Sequence, residues 1–69
     1  MFKCEIDCQS ERVSFSDVEM AIGYVSEVLI PNNGDFGFRK ANISLNLEEK
    51  VRDYVYIDAE NLLEDLMNL

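Results

Sequence analysis

The sequence predicts a small α+β domain: a three-stranded, largely antiparallel sheet with two helices on one face, in the order β-α-β-β-α. Three observations lead there. Apolar and polar residues alternate strictly near the N-terminus, helical periodicity follows Ser16 and again Asp58, and apolar runs of strand character lie between. Residues 1–69 make one domain, and a chain of this length buries only about 60% of the surface its unfolded form exposes.

Phe2, Cys4, Ile6 and Cys8 alternate with Lys3, Glu5 and Asp7, the period-two pattern of a strand with one buried and one wet face. A polar stretch, Gln9 to Arg12, leads through Val13-Ser14-Phe15 to Ser16. Ser16 with Glu19 forms a capping-box pattern, and Asp17 and Glu19 add negative charge at the positive end of the helix it would start. That helix, residues 17–30, carries Val18, Ile22, Val25 and Leu29 on one stripe with Ala21 beside them, and Met20, Tyr24 and Val28 on the adjoining row. Gly23 falls on the far side. Pro31 is expected to end the helix by disfavouring the helical conformation of the residue before it.

Asn32-Asn33-Gly34-Asp35 is a turn by composition, and a strand should follow. Phe36 and Phe38 share one parity while Ala41, Ile43, Leu45 and Leu47 share the other, so a bulge or break is expected near Arg39-Lys40. Residues 48–58 admit two readings. Asn46 with Glu49 could cap a long helix, but Tyr54-Val55-Tyr56-Ile57 sets four consecutive β-branched or aromatic residues in a row and favours a strand. Asp58 then caps a final helix with Leu62, Leu63, Leu66 and Met67 inward and Glu60, Glu64 and Asp65 outward. In topology alone, this order resembles the first five elements of a ferredoxin-like split βαβ unit.

Composition narrows the chemistry. Histidine is absent, and Cys4 and Cys8 would lie on one strand face about 13 Å apart, too far to bond to each other. Neither zinc nor redox spacing is present, so no metal and no cofactor is expected. The serines lack a histidine partner, and no Gly-x-Ser-x-Gly, P-loop or Rossmann fingerprint occurs. The expectation is a protein that is not an enzyme. No apolar run approaches the roughly 18 to 20 residues of a membrane span, and no signal-peptide pattern opens the chain, so a cytoplasmic protein is expected.

Fourteen acids against six bases give a net charge of −8, which would repel nucleic acid and anionic lipid. A basic protein is the partner this charge favours. After Arg52 no base occurs, while Asp53, Asp58, Glu60, Glu64 and Asp65 supply five negative charges. Tyr24, Tyr54, Tyr56 and Met20 are the candidates for the desolvated part of such a contact, because tyrosine contributes large area at small entropic cost. The leading expectation is therefore a non-enzymatic acidic binding protein of the size and charge of phage or mobile-element inhibitors, blocking a nucleic-acid-binding surface of its partner. The alternative is an intracellular regulatory or assembly subunit, such as an acidic antitoxin or a small homodimeric adaptor. With no disulfide or metal to staple so short a chain, self-association is expected to add stability.

Overall fold

The computed structural model describes residues 1–32 and 36–69, less the side chain of Leu47. Strict alternation makes β1 (Phe2–Cys8) the strand with the most to bury, and it lies inside the sheet: Cys4, Ile6 and Cys8 are buried, with Lys3 and Glu5 exposed and Asp7 half-buried on the other face. Its neighbours are β2 (Arg12–Phe15) and β3 (Phe38–Leu47), and β4 (Lys50–Tyr56) lies outside β3. The order is β2-β1-β3-β4 and every neighbouring pair is antiparallel.

The sheet thus has four strands, one more than expected, and the chain runs β-β-α-β-β-α. The extra strand is Arg12–Phe15, whose four residues offer only Val13 and Phe15 as an apolar pair, too short a run to show periodicity. Cys8 N donates to Glu11 O at 2.9 Å, which closes the reversal from β1 into β2. Because β2 and β3 both oppose β1, they run parallel to each other on either side of it. The split βαβ unit therefore begins at β2 rather than at β1, which corrects the expected topology.

The first helix, α1 (Val18–Tyr24), is capped by Asp17 and not by Ser16: Asp17 has extended φ and ψ of −126° and 125°, and its Oδ1 accepts from Glu19 N at 2.8 Å. From Val25 to Leu29 the helix widens into a π turn, with Ile30 N donating to Val25 O at 2.9 Å. Ser26 Oγ bonds back to Ile22 O at 2.8 Å beside it. The wider turn keeps Ala21, Val25 and Leu29 in one fully buried row. Pro31 does not act as expected, since Ile30 before it keeps helical φ and ψ of −62° and −49°. Asn32 takes over the terminal carbonyl instead, its backbone N and its Nδ2 both donating to Val28 O. Most of the expected Asn32–Asp35 turn falls on residues 33–35, outside the described residues.

Strand β3 begins at Phe38, not at Phe36. Gly37 precedes it with φ of +65°, its carbonyl accepting from Gln9 N at 2.8 Å; a Cβ there would meet Gln9 Cβ at 2.9 Å, so glycine is required twice over. The expected bulge is present. Asp7 pairs with Lys40 but Cys8 with Phe38, so Arg39 is the extra residue that restores the face shared by Phe38 and Ala41. The ambiguous segment is a strand, longer than expected, and Ile57 after it is 84% exposed at a bend. Asp58 caps α2 (Ala59–Met67) through a 2.9 Å bond from Glu60 N, as its position predicts. Met67, expected inward, is exposed, because Leu62 and Leu66 already fill the line facing the sheet.

Both helices lie on the sheet face that carries Cys4, Ile6, Ala41 and Ile43. Ala21, Val25 and Leu29 from the first helix and Ala59, Leu62 and Leu66 from the second complete one apolar core with Cys8. Among the described residues no helix lies on the opposite face of the sheet.

Candidate protein-interaction surface

The fold sorts the charges by layer. All six basic residues lie on strands: Lys3, Arg12, Arg39, Lys40, Lys50 and Arg52. The helical layer and its two N-caps carry seven acids, Asp17, Glu19, Glu27, Asp58, Glu60, Glu64 and Asp65, with no base among them. All seven are exposed. On the uncovered sheet face the signs are balanced, with Glu5, Asp7 and Asp53 among Lys3, Arg12 and Lys40. There Arg12 Nη2 lies 3.7 Å from Asp7 Oδ2, and Lys3 Nζ lies 3.6 Å from Glu5 Oε1. Arg52, opposite Leu45, and Lys50, in phase with it, lie on the helix-bearing face of the sheet, so seven acids of the helices and caps stand against these two strand bases on that side.

The residues singled out from sequence fall into different settings. Glu60 and Glu64 border a shallow groove on α2 with Leu63, Met67 and Asn68, so acids and exposed apolar groups share one surface. Asp65 lies on another flank of α2 and accepts from Tyr56 Oη at 2.5 Å, tying the helix to β4. Asp58 is occupied as the cap. Asp53 is on the uncovered face of the sheet, accepting from Ser44 Oγ at 2.6 Å, and does not join the helical acids. The five C-terminal carboxylates therefore do not share one face.

Met20 is exposed on α1, whereas Tyr24 is half-buried with its ring 5.3 Å from that of Phe15. Tyr24 Oη is buried without a hydrogen-bond partner among the described residues, and burial, with Glu11 nearby, pushes its phenol up. Tyr54 is exposed at the outer strand and Tyr56 is half-buried beneath α2. Sequence reading missed Asp17, Glu19 and Glu27, which stand some thirty residues or more before the final helix but on the same layer. Their shared lack of any neighbouring base along residues 17–31 is the signal that could have found them.

Neither thiol is set up as a nucleophile. Burial, reinforced by Glu5, raises Cys4 from the usual 9.0 to about 11, and burial also raises Cys8, with Glu11 and Asp7 adding to it. Among the described residues no group of three or more His, Cys, Asp or Glu is arranged to hold a metal ion, and no helix is long and apolar enough to cross a membrane. No family model, no curated protein and no solved structure matches the chain.

Proposed function

We propose that the chain is a non-enzymatic, protein-binding protein whose acidic helical layer docks on a basic surface of a partner protein, of the kind that otherwise holds nucleic acid. The observation that carries this reading is the segregation of charge: seven exposed acids and no base on the helices and their caps, against balanced pairs on the uncovered face of the sheet. A one-signed field of this sort raises encounter rates with an oppositely charged partner and falls off within about 8 Å at physiological salt. The exposed Met20 and Met67 supply apolar contact among those acids. Stability alone does not favour the arrangement. Glu64 and Asp65 stand in the last turns of α2, where no base offsets them and each anion costs about 0.3 to 1 kcal/mol.

The test separates the two faces. The partner is first captured from the native host and identified by mass spectrometry, and its association rate is then measured against salt. Reversing Glu19, Glu27, Glu60 and Glu64 together to lysine should slow association at low salt about tenfold or more and flatten its salt dependence, while Asp53→Lys on the other face leaves both unchanged. Equal rates for the reversed and original proteins would remove the reading.

A further inference from the structure

We propose that the outer edge of β4 pairs with the same edge of a second copy of this chain, about a two-fold axis at Tyr54, to give one continuous eight-stranded antiparallel sheet. This goes beyond the acidic docking reading and does not depend on it.

The two edges of the sheet are unlike. β2 is four residues long, which is one of the ways proteins blunt an edge. β4 runs for seven residues without proline or a break in register, and every residue from Lys50 to Val55 is exposed. Its outer side presents the N–H and C=O groups of every second residue to solvent. Exposed apolar side chains also gather there. Among the described residues, Val51, Tyr54, Val55 and Ile57 are four of the eight large hydrophobic residues that stand exposed, and they fall within seven consecutive positions.

Charge then selects the occupant and the register. A two-fold axis perpendicular to the sheet pairs residues that point to the same face, so it must pass through one residue of β4. An axis at Arg52 or at Asp53 would place like charges directly opposite each other, which is destabilising. An axis at Tyr54 sets Tyr54 against Tyr54, Asp53 against Val55 and Arg52 against Tyr56, with Val51 brought toward Ile57. No like charges are then directly opposed, the guanidinium meets an aromatic ring, and the most exposed apolar residue of the strand region is covered. β4 is thus complementary to itself in this register, which alone of the charge-compatible ones sets Tyr54 against itself and Arg52 against an aromatic ring.

The experiment uses the full chain. Sedimentation of the purified protein at high micromolar concentration should show a dimer that tightens as salt rises, because both copies carry the same net charge. Tyr54→Cys should then cross-link to a covalent dimer under mild oxidation, since residues facing each other at the axis have Cβ atoms about 4.5–5.5 Å apart. Asp53→Cys, diagonal to its counterpart, should cross-link at least about tenfold more slowly, at about 7–8 Å. Cys4 and Cys8 are buried and do not compete. A monomer at that concentration overturns the proposal, and so does a dimer in which the two positions cross-link equally or Asp53→Cys is the faster.

Discussion

Two strands of equal length, β1 and β4, differ in nearly everything that follows from position. Each has seven residues. β1 is flanked on both sides and carries Cys4, Ile6 and Cys8 under the helices, whereas β4 has a neighbour on one side only and no fully buried side chain. Its apolar residues are split between faces: Tyr54 and Tyr56 share the side of Ile43 and Ala41, and Val51 and Val55 share that of Asn46 and Asn42. The difference teaches that apolar content alone does not locate the core. A strand is held by its side chains when it is central, and by its ladder and its turn when it is at the edge.

Side-chain truncation should expose this contrast most strongly. Ile6→Ala removes part of a fully buried side chain at the centre of the core, with an expected loss of about 3 to 4 kcal/mol. That is a large share of the total for a chain of this size, about 3 to 10 kcal/mol, so Ile6→Val, at about 1 kcal/mol, gives the measurable companion. Val55→Ala on β4 should cost less than about 1 kcal/mol. Urea unfolding at low micromolar concentration reads all three. A Val55→Ala loss equal to that of Ile6→Ala would mean that β4 is packed as β1 is, and the comparison would fail.

Alkaline pH should separate the same strands in sequence. In β1, burial and Glu5 raise Cys4 from 9.0 to about 11; in β4, burial and the hydrogen bond to Asp65 push Tyr56 above its usual 10.0. Both folded values lie above the unfolded ones, so the fold favours the protonated forms. The stability they contribute is complete below the unfolded values and is lost as pH rises toward the folded ones. The protein should therefore begin to weaken above pH 9 through Cys4 and Cys8, and weaken further above pH 10 through Tyr56 and Tyr24. Tyr56→Phe should lose about 1 kcal/mol at neutral pH with its hydrogen bond. It should also flatten the upper part of the profile and leave the part that begins at pH 9 in place. Denaturation midpoints that stay constant up to pH 11 would contradict both assignments.

The same contrast explains what the sequence made legible. β1 was readable because a buried face and a wet face impose alternation, and the bulge at Arg39 was readable because Phe38 and Ala41 could share a face only if a residue were inserted. α2 and its Asp58 cap were readable from cap and period together. β2 was not, since four residues with two half-buried apolar groups carry no period, and the choice between Ser16 and Asp17 as cap turned on a local φ and ψ that composition does not set. Of the candidate surface, the C-terminal acids were visible as a run without bases. Their separation was not, because whether Asp53 and Asp65 face the same way depends on a strand and a helix meeting through Tyr56. Nor was their union with Glu19 and Glu27 visible, since it arises only when the two helices share one side of the sheet.

If β4 is held by its turn rather than by its side chains, the turn should be the place where a single change reaches it. Leu47 pairs with Lys50, so Glu48 and Glu49 form a two-residue hairpin loop, and Glu48 sits there with φ of +53°. A side chain in that left-handed region costs roughly 1 kcal/mol, which glycine does not incur. Glycine also loosens the unfolded chain, which offsets part of the benefit. Glu48→Gly is therefore expected to stabilise the protein by only about 0.5 kcal/mol. Where the gain appears matters more than its size. A one-residue slip would exchange the two faces of β4, and with only the half-buried Tyr56 and its bond to Asp65 to oppose it the strand relies chiefly on the loop for register. Amide exchange at Val51 to Tyr56 should slow in the variant through suppression of local opening, while the β1 amides, which open only with the whole molecule, shift by no more than the global gain. A rise in protection spread evenly over both strands would show that the loop acts on global stability alone, and that β4 draws its register from elsewhere.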